Sequence, residues 1–504
     1  MEISKPITIS IGLAVTSAIN AAPPPPNILF ITVDDLKPDI GCYGDKLAIT
    51  PNINKLASRG TVFLNNQCQQ AVCAPSRVSM FTGLRPDTTK VWDLKTNMRD
   101  VCPDALTIPE YFSKKGYQTT GLGKLMHGAK DGDCQSWTIP CIKDANLNYK
   151  TPYGYPANGH YLSELSRKSY DKIKKQKLNW REKKDYMRSQ GAAPAFECLD
   201  VPDAAYTDGA IADKGIKILE KFAKSAKPFF LALGFHKPHL PFVAPKKYWD
   251  LYNPKDFTIA KFQKHAKGSP NFAYHTWGEL RKYCGIPSKG PLPENRQKNL
   301  IHAYYACISY IDAQIGKVIE KLDKLGLAEN TIIIIWGDHG WHLGDHGLWC
   351  KHSNFEQATH APLIIVAPGY KGGQKTESPT EFIDVFPTLC QLTGNKAPEH
   401  LQGTSLIPIL KSPKEMIKKF AVSQFPRGNK MGYSLRTRRY RYTIWLPWNK
   451  KQGITSYTPI AEELYDYEKD PMETINKAGN IEYKTEVRKL SEMMQNFLHK
   501  THQR

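Results

Sequence analysis

NILFITVDD, residues 27–35, is a run of β-prone, almost wholly apolar residues that stops on two aspartates. A strand with one wet face alternates apolar and polar side chains. An unbroken apolar run needs cover on both faces, which is the environment of a strand inside a parallel sheet. TIIIIW at 331–336 is a second such run, and Asp338 and His339 follow it after a single glycine. Phe229 to Leu233 and Leu363 to Val366 are two more, and Ser309 to Leu325 between them has amphipathic helical spacing. Strands of this kind separated by helices predict an α/β fold, a mostly parallel sheet sandwiched by helices. Ligands of such sheets gather beyond the carboxyl ends of the strands, so the two acidic clusters are predicted to converge in one crevice.

A chain of 504 residues exceeds what one core usually serves. From about Pro413 the pattern shifts to shorter strand-like runs, GYSLRTRRYRYTIWL and ELYDYE, and then to a helical stretch around Lys484 to Leu498. This predicts a catalytic-size domain over 23–412 and a smaller antiparallel subdomain over 413–504. Residues 1–22 have the layout of a secretory signal peptide: Lys5, an apolar run from Ile7 to Ile19 too short to span a membrane, and small residues before Pro23. No Asn-x-Ser/Thr acceptor occurs. The expected setting is bacterial, secreted or periplasmic, with no membrane span.

The formal charge of +21, from 69 Lys+Arg against 48 Asp+Glu, predicts attraction to polyanions. No helix-turn-helix, zinc-finger or single-strand-binding signature points to nucleic acid, and for an exported chain the natural polyanion is a sulfated or carboxylated polysaccharide. A basic insert with interleaved tyrosines and Trp180, residues 150–188, suits such a ligand or is simply a solvated helix face. Eleven cysteines, an odd number, mark one as chemically distinct, and Cys134 with Cys141 is a candidate local disulfide.

Asp34, Asp35, Asp338 and His339 form a set of hard oxygen donors with one imidazole. Three carboxylates crowded together repel unless a divalent cation sits among them, and this donor set favours Ca²⁺ or Mg²⁺ over zinc while leaving Mn²⁺ open. In QQAVCAPSRVSM, residues 69–80, Cys73 stands two residues before Pro75, a residue the first helical turn tolerates. That places Cys73 at a helix N-terminus among unpaired amides.

The pattern Cys-x-Pro-Ser-Arg followed by VSMFTGLRP resembles the signature of the type I sulfatases. DDLKPDIGCYGD, RPDTT, GFHKPHLPF, DHGWHLGDHG and EQATHAPLI are most similar to the iduronate-2-sulfatase branch. The resemblance implies an alkaline-phosphatase-like α/β fold. It also implies that a formylglycine-generating or anaerobic maturating enzyme oxidises Cys73 to formylglycine (3-oxoalanine), whose hydrate is the nucleophile. One Ca²⁺ is implied at Asp34, Asp35, Asp338, His339 and the modified Cys73. Carried over by position, Arg77 holds the hydrate and offsets charge near the metal, Lys124 and Lys351 contact the sulfate, and His127 is the base that releases it. His236 protonates or hydrogen-bonds the leaving sugar oxygen, and Lys237 is a further substrate contact. The insert and the basic RTRRYRY depart from the family pattern, and both are candidates to line the cleft. A phosphoesterase or phosphonate hydrolase of the same superfamily and a catalytically silent polyanion binder remain open alternatives.

Overall fold

The computed structural model describes residues 24–127, 133–149 and 154–502. The leader expected over 1–22 lies outside the described residues. The central sheet consists of β1 (Asn27–Val33), β2 (Thr61–Phe63), β3 (Gln118–Gly123), β4 (Phe229–Phe235), β5 (Thr331–Gly337), β6 (Leu363–Val366) and β7 (Gln374–Thr376). Their order in space is β7-β2-β6-β5-β1-β4-β3. Every residue of β1 is buried, and β1 pairs in parallel with β4 on one side and β5 on the other, Ile28 lying opposite both Phe230 and Ile332. β3 extends the parallel set beyond β4, whereas β6 runs antiparallel to β5 and to β2.

The period of two along β1 divides the core. Leu29, Ile31 and Val33 pack with residues of α3 (Thr207–Phe222) and α4 (Glu294–Lys324) such as Ile211, Leu219, Ile311 and Ile315. Ile28 and Phe30 face the opposite layer, with Val78 and Phe81 of α1 (Cys73–Thr82) and with Phe386 and Leu389. The four isoleucines Ile332 to Ile335 in β5 are fully buried, and such side chains each contribute about 1.5–3 kcal/mol. The helical stretch expected over 309–325 is the second half of α4. Its first half escapes a periodicity reading because Leu300 to Asp312 are buried without interruption. Within the insert, α2 (Trp180–Ser189) is closed by a capping box between Asn179 and Glu182, and it turns Lys184 and Met187 inward from an otherwise exposed surface.

The C-terminal unit is an antiparallel sheet of β8 (Ala421–Arg427), β9 (Lys430–Arg436), β10 (Tyr440–Asn449), β11 (Gly453–Ile454) and β12 (Ala461–Asp466), with β12 beside β10. Leu490, Met494 and Leu498 of α5 (Lys484–His502) pack with Tyr442, Ile444 and Leu446 of β10. GYSLRTRRYRYTIWL is the β9–β10 hairpin. Its arginines do not form a cationic cleft wall, because each is paired with a carboxylate. Arg436 and Arg441 share Glu356, Arg438 meets Glu377, and Arg439 meets Asp466 and Glu468. Arg441 is fully buried, and it also donates to Asn354 O, Ser434 Oγ and Gln67 Oε1, which ties the subdomain to the catalytic domain. Arg441→Met leaves Glu356 and Glu473 short of a buried partner. It is expected to cost about 3–5 kcal/mol, read as a lower urea midpoint than that of the wild type.

The Cys134–Cys141 pairing falls on Cys134, whose side chain lies outside the described residues. Among the described residues Cys42, Cys68, Cys73, Cys307, Cys350 and Cys390 are buried free thiols.

Candidate active site

Three strand ends and one helix start deliver the site. β1 runs into Asp34 and Asp35, β5 into Asp338 and His339, β3 into Lys124, and α1 opens on Cys73. The Cys73 end of α1 has Val72 before it, so no side chain caps the first turn, and its free amides favour negative charge nearby. Lys124 reaches the site because two glycines let β3 and β4 close up. A Cβ on Gly234 would lie 2.2 Å from the Lys124 carbonyl oxygen, and one on Gly123 would lie 2.1 Å from that of Gly234. Asp35 adopts the left-handed backbone (φ 59°), uncommon for a residue with a Cβ. Its amide donates to Asp338 Oδ1 at 2.9 Å and its carbonyl accepts from Tyr304 at 2.7 Å. These bonds from β5 and α4 fix the strained turn from two sides.

The side chains interlock around Cys73. Its Sγ lies 3.4 Å from His339 Nε2, 3.5 Å from Lys124 Nζ and 4.0 Å from Asp35 Oδ1. Lys124 Nζ is 2.5 Å from Asp34 Oδ2, and Lys351 Nζ donates to both Asp35 oxygens at 2.9 and 3.1 Å. Of the two roles expected for Arg77, its contacts fit the one beside the metal-ligand carboxylates: its N–H groups go to Asp338 Oδ2 (2.8 Å), Asp34 Oδ1 (3.0 Å), Thr32 Oγ1 and the carbonyls of Lys124 and Leu125, and none to residue 73. It acts by fixing the two carboxylates. All of these charges are within a tenth of full burial, where the low dielectric strengthens each interaction.

Burial opposes ionisation of Asp34, yet Lys124, His239, Arg77 and Lys351 outweigh it and hold Asp34 well below the usual carboxylate range. Asp35 is the opposite case. Burial, only partly offset by Lys351 and reinforced by the Asp34 charge, pushes it up to about 7. A divalent cation beside that carboxyl would favour its charged form against both effects. Two overlapping donor sets fit such an ion: Asp35, Cys73, Asp338 and His339, and Asp34, Asp35, Cys73 and His239, each with its ligand atoms within 4.8 Å of one another.

His239 carries no role in the sequence reading, and neither does Glu279. The HKPH turn after β4 holds two histidines, and nothing in their spacing says which turns inward. His239 Nε2 lies 3.8 Å from Asp35 Oδ2 and 3.1 Å from Glu279 Oε1, which also accepts from Lys351 at 3.2 Å. His236 Nε2 lies instead 3.0 Å from Asp144 Oδ2, and its amide donates to Asp208. The Lys237 ammonium donates to the carbonyls of His239 and Pro241, so it holds the turn that carries His239. His127 is largely buried beside Lys124, its Nδ1 meets no partner among the described residues, and burial with the Lys124 charge pushes it down to about 3. Burial with Lys351 and Lys124 likewise pushes His239 down to about 4.

The sulfatase family pattern matches residues 26–395, and that of the C-terminal part of N-sulphoglucosamine sulphohydrolase matches 344–500. The chain belongs to the sulfatase family. This sulfatase is 33% identical to human (Homo sapiens) iduronate 2-sulfatase, over 93% of its own length and 94% of the relative's. It is thus a type I sulfatase close to that branch, and a sulfuric ester hydrolase. Its fold is shared with a solved structure described as a complex with the substrate D-glucosamine-2-N,6-O-disulfate, at TM-score 0.69 and 21% identity, covering 94% of this sulfatase and 98% of that chain. A phosphonate monoester hydrolase of Agrobacterium radiobacter has the same fold at TM-score 0.70 and 22% identity, covering 94% and 96%. The mostly parallel sheet predicted from the apolar runs and the alkaline-phosphatase-like architecture implied by the family resemblance are therefore the observed ones, and the fold by itself is common to both ester classes. Among the described residues no helix is long and apolar enough to cross a membrane.

Proposed function

We propose that this sulfatase is exported and removes sulfate from a sulfated polysaccharide or its oligosaccharides, an algal polymer such as ulvan or carrageenan or a glycosaminoglycan. Cys73, matured in trans to formylglycine, carries the nucleophile. The observation that carries the reading is the placement of the Cys73 side chain, at an uncapped helix start and between Lys124 and His339. One Ca²⁺ is assigned to Asp34, Asp35, Asp338, His339 and residue 73. When bound, it supplies Lewis-acid charge against the oxygens of a sulfate monoester.

The chain's own residues account for the rest. Lys124 and Lys351 offset the charge of the peripheral sulfate oxygens, and Arg77 orients Asp34 and Asp338. One hydroxyl of the residue 73 hydrate attacks sulfur as the sulfur–oxygen bond to the sugar breaks, and the proton that hydroxyl gives up balances the one the departing sugar oxygen takes. His239, at the inner end of the HKPH turn, is better placed than His236 to hydrogen-bond that oxygen. His127, neutral at pH 7 because of its burial beside Lys124, accepts the proton of the second hydroxyl. The C–O bond then breaks, sulfate leaves with its electron pair, and the aldehyde returns.

The test is free sulfate, by ion chromatography, from carrageenans, ulvan, fucoidan, heparan and dermatan sulfates, polymeric and depolymerised. Release from one substrate class by the wild type is expected. Rapid phosphate-ester turnover without sulfate release overturns the reading in favour of a phosphoesterase. An unmodified thiol in the Cys73 peptide with polysaccharide binding retained favours a silent binder. His239→Gln is expected to lower kcat on a sugar sulfate by about 10²–10⁴-fold. Its effect on 4-nitrophenyl sulfate, whose leaving group needs little help, is expected to be far smaller. Equal losses on both substrates, or a larger loss in His236→Gln, would return the role to His236.

A further inference from the structure

The insert carries a buried cation with no ion-pair partner among the described residues. Lys184, on α2, is only 7% exposed, and among the described residues its ammonium enters no ion pair or hydrogen bond. Lysines this buried are normally paired. The Lys184 Nζ instead lies 3.5 Å from the ring centroid of Tyr283 and 5.3 Å from that of Trp180. Burial pushes it down to about 8, and Glu279, the carboxylate that acts on it most strongly, is already held by Lys351 and His239. Cation–π contacts hold an ammonium in place without neutralising it.

Its position relative to the active site follows from a short chain of neighbours. Tyr283, under the ammonium, lies within electrostatic reach of Glu279 and Lys351. The backbone there is pinned, since the Cys284 amide donates to Ala193 O at 2.8 Å. On the other side, half-buried His160 lies within electrostatic reach of Lys184, His236 and His239 together. Lys184 therefore lies on the side of the site where Glu279 pairs with Lys351 and His239. One turn before it, Trp180 is 51% exposed, a large flat ring left open to solvent on the same helix. An open indole beside an ammonium that has no ion-pair partner among the described residues is complementary to a sugar ring that carries an acid group: the ring stacks and the anion pairs.

We propose that Trp180 and Lys184 form a second subsite that binds an anionic sugar residue, sulfated or carboxylated, next to the one being desulfated. The subsite rests on the carbohydrate reading of the active site and adds a requirement for a second negative charge on the substrate.

Two measurements test it. In the matured enzyme, Lys184→Met is expected to lower the ratio of kcat/KM for a sulfated tetrasaccharide to kcat/KM for 4-nitrophenyl sulfate by about tenfold, through KM and not kcat. Lys184→Arg is expected to restore much of that ratio. An unchanged ratio overturns the subsite, as does an equal loss on both substrates, the mark of a purely structural lysine. In the Cys73→Ser background, where turnover plays no part, size-defined heparin and carrageenan tetrasaccharides are titrated by calorimetry. At least one is expected to bind about tenfold more weakly to the Lys184→Met and Trp180→Ala forms, with a shallower salt dependence for Lys184→Met. Equal affinities, or no binding of either probe to the parent, overturn the subsite. Binding that depends on Lys184 in a protein that releases no sulfate from any polysaccharide would leave the subsite standing and sink the assigned activity.

Discussion

Cys73→Ser, produced beside the same maturation machinery as the wild type, is expected to lose multiple turnover by about 10⁴-fold or more, the scale of removing a nucleophile, while the fold is retained. The site is built around the position and not around the thiol. Burial and the Asp34 charge push the Cys73 thiol well above its ordinary range, so as encoded it is protonated and a weak nucleophile. A serine hydroxyl fits the same space between Lys124 and His339. It can accept a sulfuryl group, but it has no geminal hydroxyl from which a proton loss could drive C–O cleavage. A sulfate ester should therefore accumulate on residue 73 and be visible in the mass of its peptide. Wild-type turnover in this variant would end the formylglycine assignment, and a loss of folding would be seen separately in the urea midpoint.

Asp338→Asn is expected to reduce bound divalent metal from about one equivalent to nearly none, and sulfate release by about 10²–10³-fold, the scale of losing a preorganised charge at a reacting centre. Asparagine is the informative replacement. Its carbonyl oxygen can still accept from the Asp35 amide, which Asp338 Oδ1 now does at 2.9 Å. The negative charge facing Arg77 Nε at 2.8 Å is gone. Elemental analysis and activity measured on one preparation decide the matter. Full activity with metal removed by a chelator would contradict the metal role, whereas metal retained with activity lost would shift Asp338 to positioning Arg77.

Much of this site is legible in the sequence because its members lie at the ends of segments with strong local signatures. Asp34 and Asp338 are placed by unbroken apolar runs, and Cys73 by a proline that fits a first helical turn. His239 and Glu279 have no such marker. His239 comes from a turn whose inward residue depends on Lys237 holding the carbonyls of His239 and Pro241. Glu279 lies in an irregular stretch far from any strand end. The same contrast explains RTRRYRY, which reads as a cationic surface until the carboxylates that pair its arginines, Glu356 and Glu377 from the catalytic domain and Asp466 and Glu468 from its own, are brought beside it.

The sequence by itself determined the parallel sheet, the convergence of two acidic strand ends and the helix start at Cys73, because hydrophobic period and backbone preference act over a few neighbouring residues. Only the tertiary structure decided that Arg77 serves Asp34 and Asp338, that His239 and not His236 meets Asp35, and that Lys184 has no ion-pair partner among the described residues. Those outcomes depend on which charges burial places within a few ångströms of one another, and in a low-dielectric interior that distance, set by packing between segments hundreds of residues apart, fixes the role of each group.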